Sequence, residues 1–160
     1  MRVRLTQPLV RAARYFGDRL ATVDGDDRRT WQEFYEGVTK LAGGLRRLNV
    51  APGDRLAVLA NNGVAYLELY YAVLWAGAVI VPLNTRLAEP EIRFQLQDAG
   101  VRVLFFGEEF RELVHKLANN MEQPPLFVGI SAPLTDGPTL ASVRARGEPI
   151  EESMRCGDDL

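Results

Sequence analysis

Phe34, Val38, Leu41, Leu45 and Leu48 recur at steps of four, three, four and three, which predicts a helix with one apolar stripe turned to a core. Each such side chain contributes roughly 1.5–3 kcal/mol on burial. Thr30-Trp31-Gln32-Glu33 opens that helix as a capping box, and Ala51-Pro52-Gly53-Asp54 supplies the turn that stops it. Upstream, Pro8 to Phe16 reads as a short amphipathic helix. Ala21 to Val23 and Arg28 to Trp31 flank Asp24-Gly25-Asp26-Asp27, the pattern of a hairpin whose glycine can take positive φ. The acids of that turn lack the sixth-position glycine of a calcium loop, and Tyr35 stands where its closing glutamate belongs, so they predict a turn.

After Asp54 the rhythm changes to short apolar runs alternating with helical ones. Leu56 to Ala60 is a strand, and Asn62 is placed to cap a helix from Val64 to Trp75. Ala78 to Val81 is the next strand. Glu89-Pro90-Glu91 begins a helix with Ile92, Leu96 and Ala99 inside, which Gly100 ends. Val101 to Phe105 is a third strand, Glu108 to Ala118 a helix and Leu126 to Ile130 a fourth strand. This alternation predicts an α/β fold, a mostly parallel sheet with helices on both faces. The strands are continuously apolar, as burial on both faces requires. Residues 1–50 thus hold a helix, a hairpin and a capped helix, and residues 51–130 the alternating core. Residues 131–160, punctuated by Pro133, Gly137, Pro138, Gly147 and Pro149, form an irregular tail with one short helix near Leu140 to Arg144. All three stretches are read as one partial domain.

Val64 to Leu83 is almost continuously apolar, with Glu68 its one charge, and approaches the ~20 residues of a spanning helix. Gly77, the β-branched Val79-Ile80-Val81 and Pro82 divide it into a buried helix and a buried strand, so no membrane span is predicted. Arg2, Arg4, Arg11 and Arg14 precede the first acid, Asp18, a faint likeness to a transit peptide that a surface helix explains better. No secretory signal is legible, and a cytoplasmic location is expected.

Composition narrows the chemistry. Nineteen basic and twenty-one acidic side chains give a net charge of −2 over 160 residues, which leaves no electrostatic footprint for nucleic acid. Lys40 and Lys116 are the only lysines, and both fall on predicted helices. The lone Cys156 allows no internal disulfide, and His115 with one thiol cannot build a zinc site.

In a parallel sheet, ligands gather at the carboxyl ends of the strands. Those loops are Asn61-Asn62-Gly63, Pro82-Leu83-Asn84-Thr85-Arg86 and Gly107-Glu108. Asn84 and Arg86 offer groups for a carboxylate or phosphate; the plainer reading has Asn84 capping a turn and Arg86 paired with a nearby acid. Neither a dinucleotide fingerprint nor a phosphate-binding glycine-lysine loop occurs, and Gly43-Gly44 lies inside a helix. Ser131, Ser142 and Ser153 all lack a nucleophile-elbow context. Glu108-Glu109, Glu151-Glu152 and Asp158-Asp159 are sequence neighbours that read as solvated charge. The residues therefore yield no catalytic group, no cofactor-binding group and no metal ligand.

Order along the chain says more. Leu48-Asn49-Val50-Ala51-Pro52-Gly53-Asp54-Arg55-Leu56-Ala57-Val58-Leu59-Ala60-Asn61-Asn62 strongly resembles the opening of the acyl-adenylate-forming enzymes, the AMP-dependent acyl-CoA synthetase and ligase family. So does the stretch from Tyr66 through Leu74-Trp75-Ala76-Gly77-Ala78-Val79-Ile80-Val81-Pro82-Leu83-Asn84-Thr85 to Arg86. Thr30 to Phe34, and Glu91-Ile92 through Asp98-Ala99-Gly100 to Phe105, are similar to the flanking elements. The resemblance covers residues 7 to 106 well, and the tail only through Asp158-Asp159-Leu160. It implies the incomplete N-terminal part of the adenylate-forming fold, from an enzyme that joins a carboxylic acid to ATP and passes the acyl group to coenzyme A. ATP, Mg²⁺ and coenzyme A are implied for such an enzyme; its Ser/Thr/Gly-rich phosphate loop and catalytic lysine have no counterpart here. The expectation is an N-terminal fragment, inactive alone and binding none of these cofactors, with self-association through exposed apolar surface or a sheet edge. The alternative is a stand-alone α/β module that binds a protein partner, and a weaker one is a small nucleotide-binding domain using the strand-end loops.

Overall fold

The computed structural model describes residues 4–154. Helix α1 (Gln7–Phe16) lays Leu9 onto the core, and the antiparallel strands β1 (Leu20–Asp24) and β2 (Asp27–Thr30) follow. Trp31, expected to close the second strand, is instead the first residue of α2 (Trp31–Arg47). The capping box is the reason: Glu33 N–H donates to Thr30 Oγ1 at 3.2 Å, and Thr30 N–H donates to the Glu33 carboxylate at 2.8 Å. Helix α2 also stops earlier than the Pro-Gly turn. Asn49 takes φ 60°, and Val50 and Asn49 donate to the carbonyls of Leu45 and Arg46, a Schellman ending that consumes the last orphan acceptors.

The sheet then builds from β3 (Arg55–Leu59), α3 (Val64–Trp75), β4 (Val79–Pro82), α4 (Glu89–Asp98), β5 (Val101–Phe106), a 3-10 turn (Glu108–Phe110), α5 (Arg111–Asn120), β6 (Leu126–Gly129) and α6 (Leu140–Ala145). Its four strands run parallel in the order β4-β3-β5-β6. Successive strand residues feed two separate cores. Leu56, Val58, Val103, Phe105 and Val128 join Leu41, Leu69, Val73 and Val143 from α2, α3 and α6. Ala57, Leu59, Leu104 and Phe106 join Ile92, Leu96, Val114 and Leu117 from α4 and α5. Helices on both faces explain why these strands carry no polar alternation.

Pro82 sits where a strand tolerates it. Val79 and Leu83 donate their N–H groups to the Asp54 and Val58 carbonyls on the β3 side, so the Ile80 N–H and the donorless Pro82 nitrogen turn outward, and the missing donor falls on the free edge. At the opposite edge, Gly129 N–H donates to Pro138 and bridges Thr139, so the tail covers part of β6.

The tail is more ordered than its composition suggests. A Cβ on Gly43 would lie 1.8 Å from the Glu148 carbonyl oxygen, and one on Gly44 2.2 Å from that of Val143. These two glycines, read above only as helix interior, let residues 143–148 lie directly on the α2 backbone. Trp75 Nε1 donates to the Ile150 carbonyl at 2.9 Å, and Ser153 N–H donates to the Trp75 carbonyl at 3.0 Å. Glu152, expected as solvated charge, instead accepts from Arg4 at 2.6 Å and from the Thr6 hydroxyl, clasping the tail to the start of the chain. Asp158-Asp159, read in the same way, lie outside the described residues.

Three carboxylates carry a pH prediction. The Arg29 hydrogen bond holds Asp27 below the usual carboxylate range, the Thr30 N–H does so for Glu33, and the Arg111 guanidinium for Glu108. A lowered folded pKa contributes stability that is present above the unfolded value and lost as pH falls through the folded one. The urea midpoint is therefore expected to hold steady down from neutrality and to decline as pH drops below about 4. In the combined Asp27→Asn, Glu33→Gln, Glu108→Gln variant that decline should be shallower; an identical acid limb would refute the assignment.

Candidate functional site at the strand ends

From β3 the chain crosses by α3 on one face to β4, then returns by α4 on the other face to β5. The order reverses between β3 and β5. At such a switch point the outgoing loops diverge and leave a crevice, the usual ligand position in an open α/β sheet. Here it is bounded by Asn61-Asn62-Gly63 and by Gly107 to Glu109.

A side chain of this protein already occupies it. Gly107 N–H donates to the Leu59 carbonyl at 2.9 Å, joining the two strand ends. The space a Cβ on Gly107 would take is approached to 2.5 Å by Glu109 Oε2, and Glu109 Oε1 accepts from Asn61 N–H at 3.3 Å. Glu108 and Glu109 are both exposed, as expected of solvated charge; Glu109 lays its carboxylate over the switch point while Glu108 binds Arg111 at 2.6 and 2.8 Å. No local sequence signal marked it, because the contact crosses 48 residues.

The other sequence candidates are held by structure. Asn84 Oδ1 accepts from Arg86 N–H at 3.0 Å, the turn-capping role of the plainer reading. Arg86 is exposed, and among the described residues no acid pairs with it, so that half of the plainer reading is not met. Asn62 does not cap α3; Asp24 from the hairpin turn reaches across and accepts from Val64 N–H at 3.2 Å. Ser142 completes a second capping box with Thr139 at α6. Lys116 is exposed on α5, and Lys40 lines a shallow depression of about 310 Å³ with Arg28, Arg29, Glu33, Glu36 and Arg144.

Glu68 is the charged group whose surroundings the residue order hinted at without naming. A lone charge inside an apolar run needs a partner once buried. It is fully buried on α3, and its Oε2 accepts from Arg29 at 2.7 Å and Arg144 at 2.9 Å, tying the hairpin and α6 to one helix.

ATP, Mg²⁺ and coenzyme A can be tested against these residues. A triphosphate needs free amide donors and cationic side chains at the strand ends. The Asn61, Gly107 and Arg86 N–H groups are engaged internally, and the switch point carries the negative Glu109. The exposed Arg86 guanidinium is a free cation at these loops, but one cation beside engaged amides and a carboxylate does not fit a triphosphate. Nor do three His, Cys, Asp or Glu side chains gather closely enough among the described residues to hold a metal ion. Beside the crevice, Asn62, Gly63, Tyr66, Leu67 and Tyr70 line a depression of about 320 Å³, where burial pushes the Tyr66 phenol up. Among the described residues no helix is long and apolar enough to cross a membrane.

Comparison with known proteins places this arrangement. The AMP-binding enzyme family profile matches residues 9–152. Feruloyl-CoA synthase of Amycolatopsis is 45% identical over 109 residues, covering 68% of this chain and 22% of that protein. Long-chain-fatty-acid–CoA ligase of Thermus thermophilus is 36% identical over 159 residues, covering 93% of this chain and 29% of that protein. Among solved structures, the N-terminal domain of FACL13 from Mycobacterium tuberculosis superposes with a TM-score of 0.84 at 29% identity, over 98% of this chain and 40% of that one. The chain therefore spans 22–40% of the length of these three proteins. A match that runs from α1 to the Glu152 clasp, on the same parallel sheet, makes this chain a member of the AMP-binding enzyme family, corresponding to the N-terminal part of the adenylate-forming ligase fold.

Proposed function

We propose that this chain is the N-terminal scaffold of an acid–thiol ligase, which joins a carboxylic acid to AMP with release of pyrophosphate and transfers the acyl group to coenzyme A. The observation that carries the reading is the family match over residues 9–152, nearly the whole described chain. Relatives named for feruloyl and long-chain fatty acyl substrates support a carboxylic acid as the acyl donor. The three stretches 1–50, 51–130 and 131–160 work as one partial domain in this reading, supported by the seating of the tail on α2 and α3. The setting is the cytoplasm, where ATP and coenzyme A are available.

Alone, the chain does not activate an acid and binds neither nucleotide nor coenzyme A. Glu109 at the switch point and the internally engaged amides support this, because pyrophosphate departure needs positive charge where negative charge develops. The purified chain is expected to give no ATP–pyrophosphate exchange above background with a panel of fatty and aromatic acids. Exchange dependent on any of these acids would overturn the reading.

A further inference from the structure

The arginines ahead of Asp18 belong to a helix whose two sides differ in kind. Helix α1 buries Leu9, with Val10 packed beside it, while Arg11, Arg14 and Tyr15 fall at i, i+3 and i+4 and are exposed together on the other side. No acid stands on α1, and Asp18 is the one acid between residues 4 and 23. Among the described residues seven arginines pair with carboxylates, but Arg11, Arg14 and Arg19 do not. Their charge is therefore uncompensated within the chain. Apolar surface gathers at the same end. Tyr15 is 64% exposed, Leu20 54% and Phe16 45%, and five of the nine exposed large hydrophobic side chains of the described residues lie between residues 5 and 23. Each ring has a cation over it: the Arg14 guanidinium is 5.6 Å from the Tyr15 ring centre, and that of Arg19 is 5.0 Å from Phe16. Arg19 N–H donates to the Phe16 carbonyl at 2.8 Å, which holds the start of β1 against the end of the helix.

We infer that the outer side of α1 and the turn after it, with Arg11, Arg14, Tyr15, Phe16, Arg19 and Leu20, form a docking surface for an anionic lipid bilayer, on which the chain lies without spanning it. The uncompensated arginines call for a partner of negative charge, and the exposed rings and leucine call for one with an apolar phase. A bilayer supplies both within a few ångströms of depth. Phe16 and Leu20 leave water for the acyl boundary, the Tyr15 phenol stays among the headgroups, and the guanidinium groups reach lipid phosphates while their stems cover apolar surface. A second copy of this chain would set the same cations against one another. Nucleic acid offers no apolar phase to Leu20. The leaflet that faces the cytoplasm is the anionic one, which agrees with the proposed setting. The surface uses no group of the strand-end crevice, so the inference stands apart from the ligase reading.

Co-sedimentation of the purified 160-residue chain with lipid vesicles tests it. Vesicles of equal parts phosphatidylglycerol and phosphatidylcholine are expected to bind the chain at least roughly tenfold better than phosphatidylcholine alone, and added salt should weaken that binding. Arg11→Gln with Arg14→Gln and Arg19→Gln is expected to lower partitioning by roughly tenfold or more. Lys116→Gln with Arg146→Gln, which removes two exposed cations from other elements, should change it by less than about twofold. Tyr15→Ser with Leu20→Ser, the most exposed of the three apolar side chains, should lower partitioning by several-fold and leave its salt dependence in place. All three variants are expected to keep the circular dichroism of the parent. Absence of binding to the anionic vesicles overturns the inference, as does equal binding to phosphatidylcholine alone. A control variant that loses as much as the arginine variant also overturns it, because general charge then explains the binding. So does binding indifferent to Tyr15→Ser with Leu20→Ser, accompanied by duplex DNA binding that the arginine variant abolishes; the surface would then be a site for a polyanion. ATP–pyrophosphate exchange enters none of these outcomes, so the ligase reading stands or falls separately.

Discussion

Replacing Arg29 and Arg144 together by methionine is expected to destabilise the protein by about 3–5 kcal/mol, the usual cost of leaving a buried charge without its partner. Glu68 is fully buried, both arginines converge on its Oε2, and its Oε1 has no hydrogen-bond partner among the described residues. A Cβ on Gly37 would come within 2.7 Å of that Oε1, so the glycine is what lets the carboxylate lie against α2. Either arginine alone still neutralises the carboxylate, and each single replacement should cost much less than the pair. Glu68→Leu should also be mild, below about 2 kcal/mol. The arginine side chains are 22% and 32% exposed and can turn to water, and Arg29 keeps its bonds to Asp27 at 2.8 and 3.1 Å. Urea unfolding of the four proteins checks the order. If Glu68→Leu proves as damaging as the double arginine replacement, stranded charge is not the origin of the effect.

Gly44→Ala and Gly43→Ala are expected to act against the usual sign. At an interior helical position alanine is favoured over glycine by about 1 kcal/mol. Here the added methyl group would meet backbone carbonyl oxygens of residues 143 and 148, which cannot swing aside as a flexible side chain does. Gly147→Ala meets the same obstacle, with its Cβ 1.9 Å from the Lys40 carbonyl oxygen. Overpacking of this kind costs about 1–3 kcal/mol or more, enough to reverse the propensity gain. Amide hydrogen exchange should rise first over residues 140–154, as α6 and the following segment lift from α2. An increase in the unfolding midpoint on Gly44→Ala would show that this close approach is not maintained in solution.

The alternation of strands and helices was legible because each element announces itself over a few neighbouring residues. The capping box at Thr30, the stripe from Phe34 to Leu45 and the apolar strands appear close to where they were expected. Boundaries shifted where a more local device competed. The Asn49 ending stopped α2 ahead of the Pro-Gly turn, and the helix expected from Glu108 begins as a 3-10 turn. Membership in the ligase family was legible too, in the order of residue blocks from Leu48 to Arg86 rather than in any reactive side chain.

Periodicity and block order alone thus determined the element sequence, the two-faced sheet and the family of this protein. The tertiary structure decided what its unusual residues do. Glu68 meets arginines 39 and 76 positions away, Glu109 an amide 48 away, and Glu152 the Arg4 side chain 148 away. Gly43 and Gly44 of α2 acquire their purpose from a segment about a hundred residues downstream. Local pattern reports which side of an element is buried; it holds no record of which distant group will be lying there once the chain has closed on itself.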